Sequence, residues 1–385
     1  MHPERGLIVL MGYYPSYSVV QSSRALHIFE EIRKTHSETY LIMQKNLKNE
    51  FSTENLFQVK PTFNLGGKES KLRLLKRILF RLQMTLHIVH TLIVNKIDYI
   101  IIRGTDTILL YPFLKLLKIK IYYDFHGKFD IELQQLNRNL RAFFVKWIDK
   151  FILKYADGII VVSNGIKAQI EEYSDKCILL PNGVDVERIE SADAECPVDI
   201  PEDKKVIGFI GNWEQVMRIE DVCDSIKYLQ NTVAVVVGQG YQHEKIFNKY
   251  ENEDGIIFTG KIEQELAYSI LKRMDICIVP YDKEFYMSKM KNFFSNRKIS
   301  EYLAAGKPIL MADIEGIPDY LNENINYIKY ESRNPVDLAE KANYLFNNPD
   351  LYETLSQNNK ELAKQLSWEN IVKESGLIED INKNQ

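Results

Sequence analysis

Asn296-Arg297-Lys298-Ile299-Ser300-Glu301-Tyr302-Leu303-Ala304-Ala305-Gly306-Lys307-Pro308-Ile309-Leu310 reads as a helix that stops at a glycine and turns directly into a strand. Gly306 can take the left-handed C′ conformation that ends a helix, and Pro308 prevents its continuation. Lys298 and Glu301 lie three residues apart and so share a helix face. A cation and a carboxylate held beside a strand suit a nucleotide: the cation meets phosphate and the carboxylate accepts from ribose hydroxyls. The competing reading is an exposed ion pair before an ordinary helix stop, worth at most about 0.5 kcal/mol.

Outward from this stretch, short β-branched or aromatic runs alternate with helical patterns along nearly the whole chain. In the front half Gly6 to Tyr14, Tyr40 to Met43, Ile97 to Arg103, Lys120 to Phe125, Gly158 to Ser163 and Ile178 to Leu180 read as strands. Ser22 to Lys34, with Ser22 or Ser23 as N-cap, and Leu140 to Tyr155 read as helices, and another opens at Asn164. In the back half the strands are Val206 to Gly211, Ala234 to Val237, Ile256 to Thr259, Ile276 to Pro280, Pro308 to Met311 and Ile325 to Lys329. Helices are expected over Ile219 to Leu229, Gln264 to Lys272 and from Pro335 onward. Continuous apolar strands alternating with helices mean parallel sheets covered on both faces.

At 385 residues the chain is too long for one core. Two doubly wound, Rossmann-like domains facing across a cleft are expected: residues 1–185, then 205–366, joined by an acidic, proline-containing linker at 186–204. Ligands of such sheets sit beyond the carboxyl ends of the strands.

Charge is uneven. Residues 1–190 carry 27 Lys and Arg against 20 Asp and Glu, a net +7, while the remainder carries 22 against 33, a net −11. The densest basic stretch, Lys68 to Arg81, repeats leucine at helical spacing. It reads either as a helix drawn to an anionic membrane surface or as an amphipathic helix packed on a sheet with a solvated basic face. No run reaches the roughly 18 apolar residues of a spanning helix, and the N-terminus reads as a strand rather than a signal peptide. Cys177, Cys196, Cys223 and Cys277 are scattered without metal-ligand spacing. This fits a reducing cytoplasm. No metal and no nucleic-acid partner are expected.

Several segments, in order, resemble the retaining glycosyltransferases of family 4, which have the GT-B fold. They are Asp157 to Ser163, Leu180-Pro181-Asn182-Gly183-Val184-Asp185, Ile207 to Gly211, Met274 to Pro280, Glu301 to Pro308 and Ser367-Trp368-Glu369. The resemblance covers roughly residues 120 to 370. It implies transfer of a sugar, with retention of configuration, from a nucleotide-diphosphate donor to a glycan or lipid-linked acceptor in cell-surface polysaccharide synthesis. It also implies a cytoplasmic enzyme at the inner face of the membrane. No cofactor or metal is implied, because cationic side chains and helix N-termini neutralise the leaving diphosphate. The terminal helix, 367–385, is expected to return to the N-terminal domain.

By the resemblance Glu301 meets the donor ribose and matches the second glutamate of the family's Glu-x7-Glu motif. Phe293 stands where the first would be, a departure. Lys298 and Arg218 are the cations expected at the diphosphate. Gly211 and Asn212 would offer backbone N–H groups to phosphate, and Gly238 and Gly240 resemble the glycine turn beneath the base. Gly316 retains one of the family's two adjacent glycines, with Glu315 replacing the other. His126, after the strand ending in Asp124-Phe125, resembles a histidine that hydrogen-bonds the transferred sugar, and Asp124 is expected to point away from it. An inactive partner subunit that keeps the fold is the alternative reading, with a nonhydrolysing nucleotide-sugar epimerase behind it.

Overall fold

The structure, a computed structural model, describes residues 4–11, 20–45, 52–60, 72–127, 139–285, 297–315 and 317–383. The chain divides into two compact units, residues 1–181 with 371–385 and residues 182–370. The stretch 186–204 thus lies within the second unit, not between the two. Its start is helical over Val186–Glu190, because the Asp185 carboxylate caps it by accepting from Arg188 N–H at 3.0 Å.

The first unit holds seven strands: β1 Gly6–Leu10, β2 Thr39–Gln44, β3 Leu56–Val59, β4 Tyr99–Ile102, β5 Lys120–Phe125, β6 Gly158–Val161 and β7 Cys177–Leu179. They form one parallel sheet in the order β3-β2-β1-β4-β5-β6-β7. The central strands β1 and β4 are apolar throughout, and β5 departs only at Lys120 and Asp124, because helices cover both faces. These helices are α1 Val20–Arg33, α2 Leu72–Val94, α3 Tyr111–Leu116 after a 3-10 turn at Thr105–Leu110, α4 Asn139–Tyr155 and α5 Asn164–Ile170. The chain builds outward from β1 to β3 and then returns to β4 beside β1. That reversal makes the carboxyl ends of β1, β4 and β5 the ligand edge of this sheet.

Two features of this unit differ from expectation. Ser22 and Ser23 are buried inside α1, which already runs from Val20, so neither is its N-cap. The edge strand β3 and the turn of helix before β5 have no counterpart among the expected elements. β3 is only four residues long and half-exposed, too short to show a period.

The second unit has six strands: β8 Lys205–Ile210, β9 Thr232–Val237, β10 Ile256–Gly260, β11 Ile276–Val279, β12 Ile309–Ala312 and β13 Tyr327–Tyr330. Their order is β10-β9-β8-β11-β12-β13, all parallel, so the chain reverses between β8 and β11. Its helices are α6 Val186–Glu190, α7 Ile219–Ser225, α8 His243–Tyr250, α9 Gln264–Arg273, α10 Arg297–Ala304, α11 Pro335–Phe346 and α12 Pro349–Gln365. The helix expected to reach Leu229 stops at Ser225 and tightens into a 3-10 turn over Ile226–Tyr228. After α10 the chain ends as the glycine foretold. Gly306 has φ of 63°, its N–H donates to Leu303 O at 2.9 Å, and Lys307 N–H donates to Tyr302 O at 3.0 Å. This pair of bonds is the Schellman motif.

Beyond α12 the chain enters α13 Trp368–Glu374 and finishes in α14 Leu377–Asn382, which belongs to the first unit. α14 closes the amino end of that unit's sheet. Tyr122 OH donates to Asp380 at 2.9 Å, Lys120 Nζ reaches Ile381 O at 2.8 Å, and His36 Nε2 bonds Asn382 Oδ1 at 2.9 Å. Among the described residues no helix is long and apolar enough to cross a membrane, and no cluster of His, Cys, Asp and Glu is placed to hold a metal. The four cysteines are unpaired.

Candidate active site

In the second unit the reversal point brings Lys298 against Gly211 and against the loop that carries Arg218. Lys298, near the start of α10, lays its ammonium 4.6 Å from the centroid of the Phe209 ring and 5.8 Å from that of Tyr281. Its Nζ also lies 3.6 Å from Met217 Sδ. Gly211 makes this approach feasible, since a Cβ there would stand 3.1 Å from Lys298 Cε. Among the described residues no carboxylate comes within salt-bridge distance of Lys298. Burial pushes its pKa down to about 7, outweighing the upward pull of Glu301 and Glu214. A cation withdrawn from water over aromatic faces and lacking an anionic partner is primed to receive one.

Glu301 does not pair with Lys298, as the bland reading of the helix required. Its Oε1 accepts from Arg297 Nε at 2.9 Å, from Tyr268 OH at 3.1 Å and from Gln264 Nε2 at 3.3 Å. Arg297 was missed, although its place four residues before Glu301 puts it directly one turn below.

Arg218 precedes α7, with its backbone N–H held by Pro280 O at 2.6 Å. Its guanidinium faces inward to Asp221 at 3.5 Å and Glu220 at 4.0 Å. Burial lifts the Asp221 carboxyl to about 6, against the Arg333 backbone N–H and the Arg218 charge. Arg218 thus comes to the site already engaged by carboxylates of its own unit. Met217, the neighbour of Arg218, pairs with Tyr281 across an antiparallel bridge, which joins this loop to the Lys298 pocket.

The Gly211 amide, expected to be open for phosphate, is used: its N–H donates to Val237 O at 3.2 Å. The strand end closes on itself there, and Asn212 beside it is exposed. Gly238 and Gly240 have a packing role. A Cβ on Gly238 would lie 2.0 Å from Gly211 O, and one on Gly240 would lie 2.7 Å from Trp213 N. Their bare backbones let the turn after β9 press on the turn after β8. Gly316 and Phe293 lie outside the described residues.

In the first unit His126 sits just past β5. Asp124 does not point away from it: the Asp124 Oδ2 to His126 Nε2 distance is 2.9 Å. Residues two apart share a strand face. Asp124 is buried and also meets Arg24 at 3.1 Å and Arg103 at 3.8 Å. Burial alone would raise its carboxyl, but Arg24, with His126 and Arg103, holds it well below the usual carboxylate range. An ionised carboxylate only accepts, so Nε2 carries the hydrogen. Burial, opposed by Asp124 but aided by Arg103 and Arg24, lowers His126 to about 4. The ring is therefore neutral at pH 7, with Nδ1 left as an acceptor. Arg24 also donates to Leu180 O and Pro181 O, each at 2.9 Å, tying α1 to the chain's exit from this unit. Arg24 and Arg103 were not anticipated. The signal for Arg24 is a cation set among small and apolar residues in the first half of α1.

Two family models match in succession: Glycosyltransferase Family 4 over residues 54–188 and Glycosyl transferases group 1 over residues 194–362. The chain belongs to the group 1 glycosyltransferases. An uncharacterized glycosyltransferase of Methanocaldococcus jannaschii is 28% identical over 310 residues, 72% of this chain and 74% of its own. Sucrose-phosphate synthase from Thermosynechococcus elongatus superposes with a TM-score of 0.74 at 15% identity, covering 97% of each chain. Anabaena HepE, solved with UDP-glucose, gives 0.64 at 13%, covering 97% of this chain and 98% of its own. The fold is GT-B. For a group 1 glycosyltransferase, the pocket around Lys298 has the chemistry to hold an anionic leaving group, and the neutral His126 has the chemistry to accept from a hydroxyl.

Proposed function

We propose that this glycosyltransferase moves a sugar, with retention of anomeric configuration, from a nucleoside-diphosphate donor to a glycan or lipid-linked acceptor in cell-surface polysaccharide synthesis at the cytoplasmic side of a membrane. The observation that carries the donor assignment is Lys298, a half-buried ammonium with no salt-bridge partner among the described residues, seated at the turn after β8. A diphosphate there would restore the charge that burial suppresses. Arg218, released in part from Asp221, would add a second cation, and Glu301, held by Arg297, would meet ribose hydroxyls. His126 would accept from a hydroxyl of the transferred sugar through Nδ1. With cations placed this way the reading requires no metal. A likeness to HepE, a protein solved with UDP-glucose, supports a nucleotide-sugar donor.

The test is incubation with a panel of UDP-, GDP- and TDP-sugars and a broad acceptor mixture, with and without EDTA, following nucleotide release and product anomer. Release unaffected by EDTA, and lowered at least about tenfold in both Lys298→Met and Glu301→Ala, is expected. Nucleotide binding without turnover would leave an inactive partner subunit. Inversion at the anomeric centre would remove the retaining assignment.

A further inference from the structure

The helical layer formed by α2, the 3-10 turn, α3 and α4 is unlike the rest of the surface. These elements adjoin one another on one side of the first sheet. Most of the large apolar side chains that the described residues expose belong to it, whereas the described residues of the second unit expose only Tyr228, Tyr241, Ile325, Val336 and Tyr344. On α4 the outward positions are Leu140, Phe143, Phe144 and Trp147, and the neighbouring elements add Leu86 and Leu116. Single exposed apolar residues are ordinary, but this many on adjoining elements mark an interaction surface.

The charge on the layer selects the partner. α2 and α3 contain no acidic residue, and α4 contains only Asp149. Asp149 is buried and accepts from Tyr123 OH at 2.8 Å, while Asp106 of the 3-10 turn is bound by Arg81 at 2.7 Å. Against these stand Arg141, Lys146, Lys150 and Lys154, all exposed between the α4 aromatics. Aromatic and aliphatic side chains projecting through a ring of cations match the boundary of an anionic bilayer, where apolar groups enter the acyl region and cations meet headgroups. A second copy docked through the same face would instead bring cation against cation.

We propose that this layer, centred on Phe143, Phe144 and Trp147 of α4, is a docking surface for an anionic lipid bilayer. The contact is broader than the basic stretch Lys68 to Arg81 and has its aromatic centre on another helix. It rests on the membrane placement in the proposed function and deepens it by naming the surface that meets the bilayer. Because no donor or acceptor takes part, its test fails separately from that of sugar transfer.

The tryptophans give a direct readout. Trp147 is 65% exposed, whereas Trp213 is 0% and Trp368 is 7% exposed. Adding vesicles of phosphatidylcholine with phosphatidylglycerol to the full chain should shift its fluorescence to the blue, and the protein should sediment with them. Trp147→Phe should lose the shift but keep the sedimentation. Phe143→Ser with Phe144→Ser, and separately Lys146→Glu with Lys150→Glu, should each weaken sedimentation roughly tenfold or more. All are surface changes, and unchanged melting temperatures would show that the fold is intact. Tyr241→Ser with Tyr344→Ser in the second unit should change nothing. Failure to bind these vesicles, or equal binding to pure phosphatidylcholine and to both lysine-reversal and wild-type protein, would overturn the proposal. So would a lipid-free dimer whose formation shifts Trp147.

Discussion

Arg297 donates its Nε–H to Glu301 Oε1 at 2.9 Å across one turn of α10, and Lys298 beside it is thereby left out of the pair. Two cations one residue apart thus do different things. Arg297 orients Glu301, while Lys298 is held over Phe209 with no salt-bridge partner among the described residues. Arg297→Met should cost about 2 kcal/mol of stability, between an exposed pair at about 1 and a buried one at 3–5. Lys298→Met should leave stability equal or higher, because it removes a buried charge without a partner, and should cost ligand affinity instead. Thermal melting and nucleotide-diphosphate calorimetry on the two variants read both quantities. Equal destabilisation by the two would refute the division.

The depressed pKa of Lys298 gives a pH dependence with a definite sign. Its ordinary value is about 10.4, and the folded value is about 7. The unfolded chain therefore holds this proton well above neutrality while the folded chain has lost it. The cost of burying the ammonium is complete below pH 7 and relaxes as pH rises through that value. A bound diphosphate reverses the balance by favouring the charged form. Nucleotide-diphosphate affinity should fall above pH 7, by up to about tenfold per pH unit for one proton. Calorimetry at pH 8 in two buffers of different ionisation enthalpy should show uptake of nearly one proton. Lys298→Met should abolish the uptake, and its persistence there would assign the proton elsewhere.

His126 gives a stability slope of the same sign in the first unit, but at lower pH. Its folded pKa of about 4 lies below the ordinary 6.5. Between those values the unfolded chain takes up a proton that the folded ring refuses, so acidification from pH 6.5 towards 4 should destabilise the unit by at most about 3 kcal/mol. Asp124 acts in the same direction but in a lower pH window. Its stabilisation is complete above the ordinary carboxylate pKa and is lost only as pH falls towards its much lower folded value. At pH 5 the His126 effect should therefore stand alone. His126→Asn, whose amide can still donate to Asp124, should flatten the stability profile between pH 7 and 5 in urea unfolding. An unchanged slope would mean that some other group titrates.

Much of this was legible in the sequence because parallel strands buried on both faces read as unbroken apolar runs. β1, β5, β8, β9, β11 and β12 announced themselves in that way, and Gly306 with Pro308 fixed the end of α10. What was not legible depended on tertiary partners. Arg24 looked like any helical cation until Asp124 and the Leu180 and Pro181 carbonyls surrounded it. The Asp124 orientation was misread by neglecting that the strand period is two. Gly211 is expected at phosphate and Gly238 and Gly240, by the resemblance, beneath the base, but what Gly238 and Gly240 accommodate is another stretch of backbone.

That backbone approach carries the last prediction. Gly238 has φ of 111°, and a methyl group on it would sit 2.0 Å from Gly211 O. No flexible side chain can yield there, because the clash is with the turn that also seats Lys298. Gly260, at φ of 65°, has nothing within 4 Å of its would-be Cβ. Gly260→Ala should therefore cost only the left-handed backbone term, about 1–2 kcal/mol. Gly238→Ala adds a steric displacement of the Gly211 turn and should cost about 3 kcal/mol or more. The displacement should also loosen Lys298 from Phe209, so nucleotide-diphosphate affinity should drop in Gly238→Ala even well below its melting temperature. Gly260→Ala should bind as the wild type does. Matched calorimetry and melting on the two variants would sink the argument if they proved alike in both stability and binding.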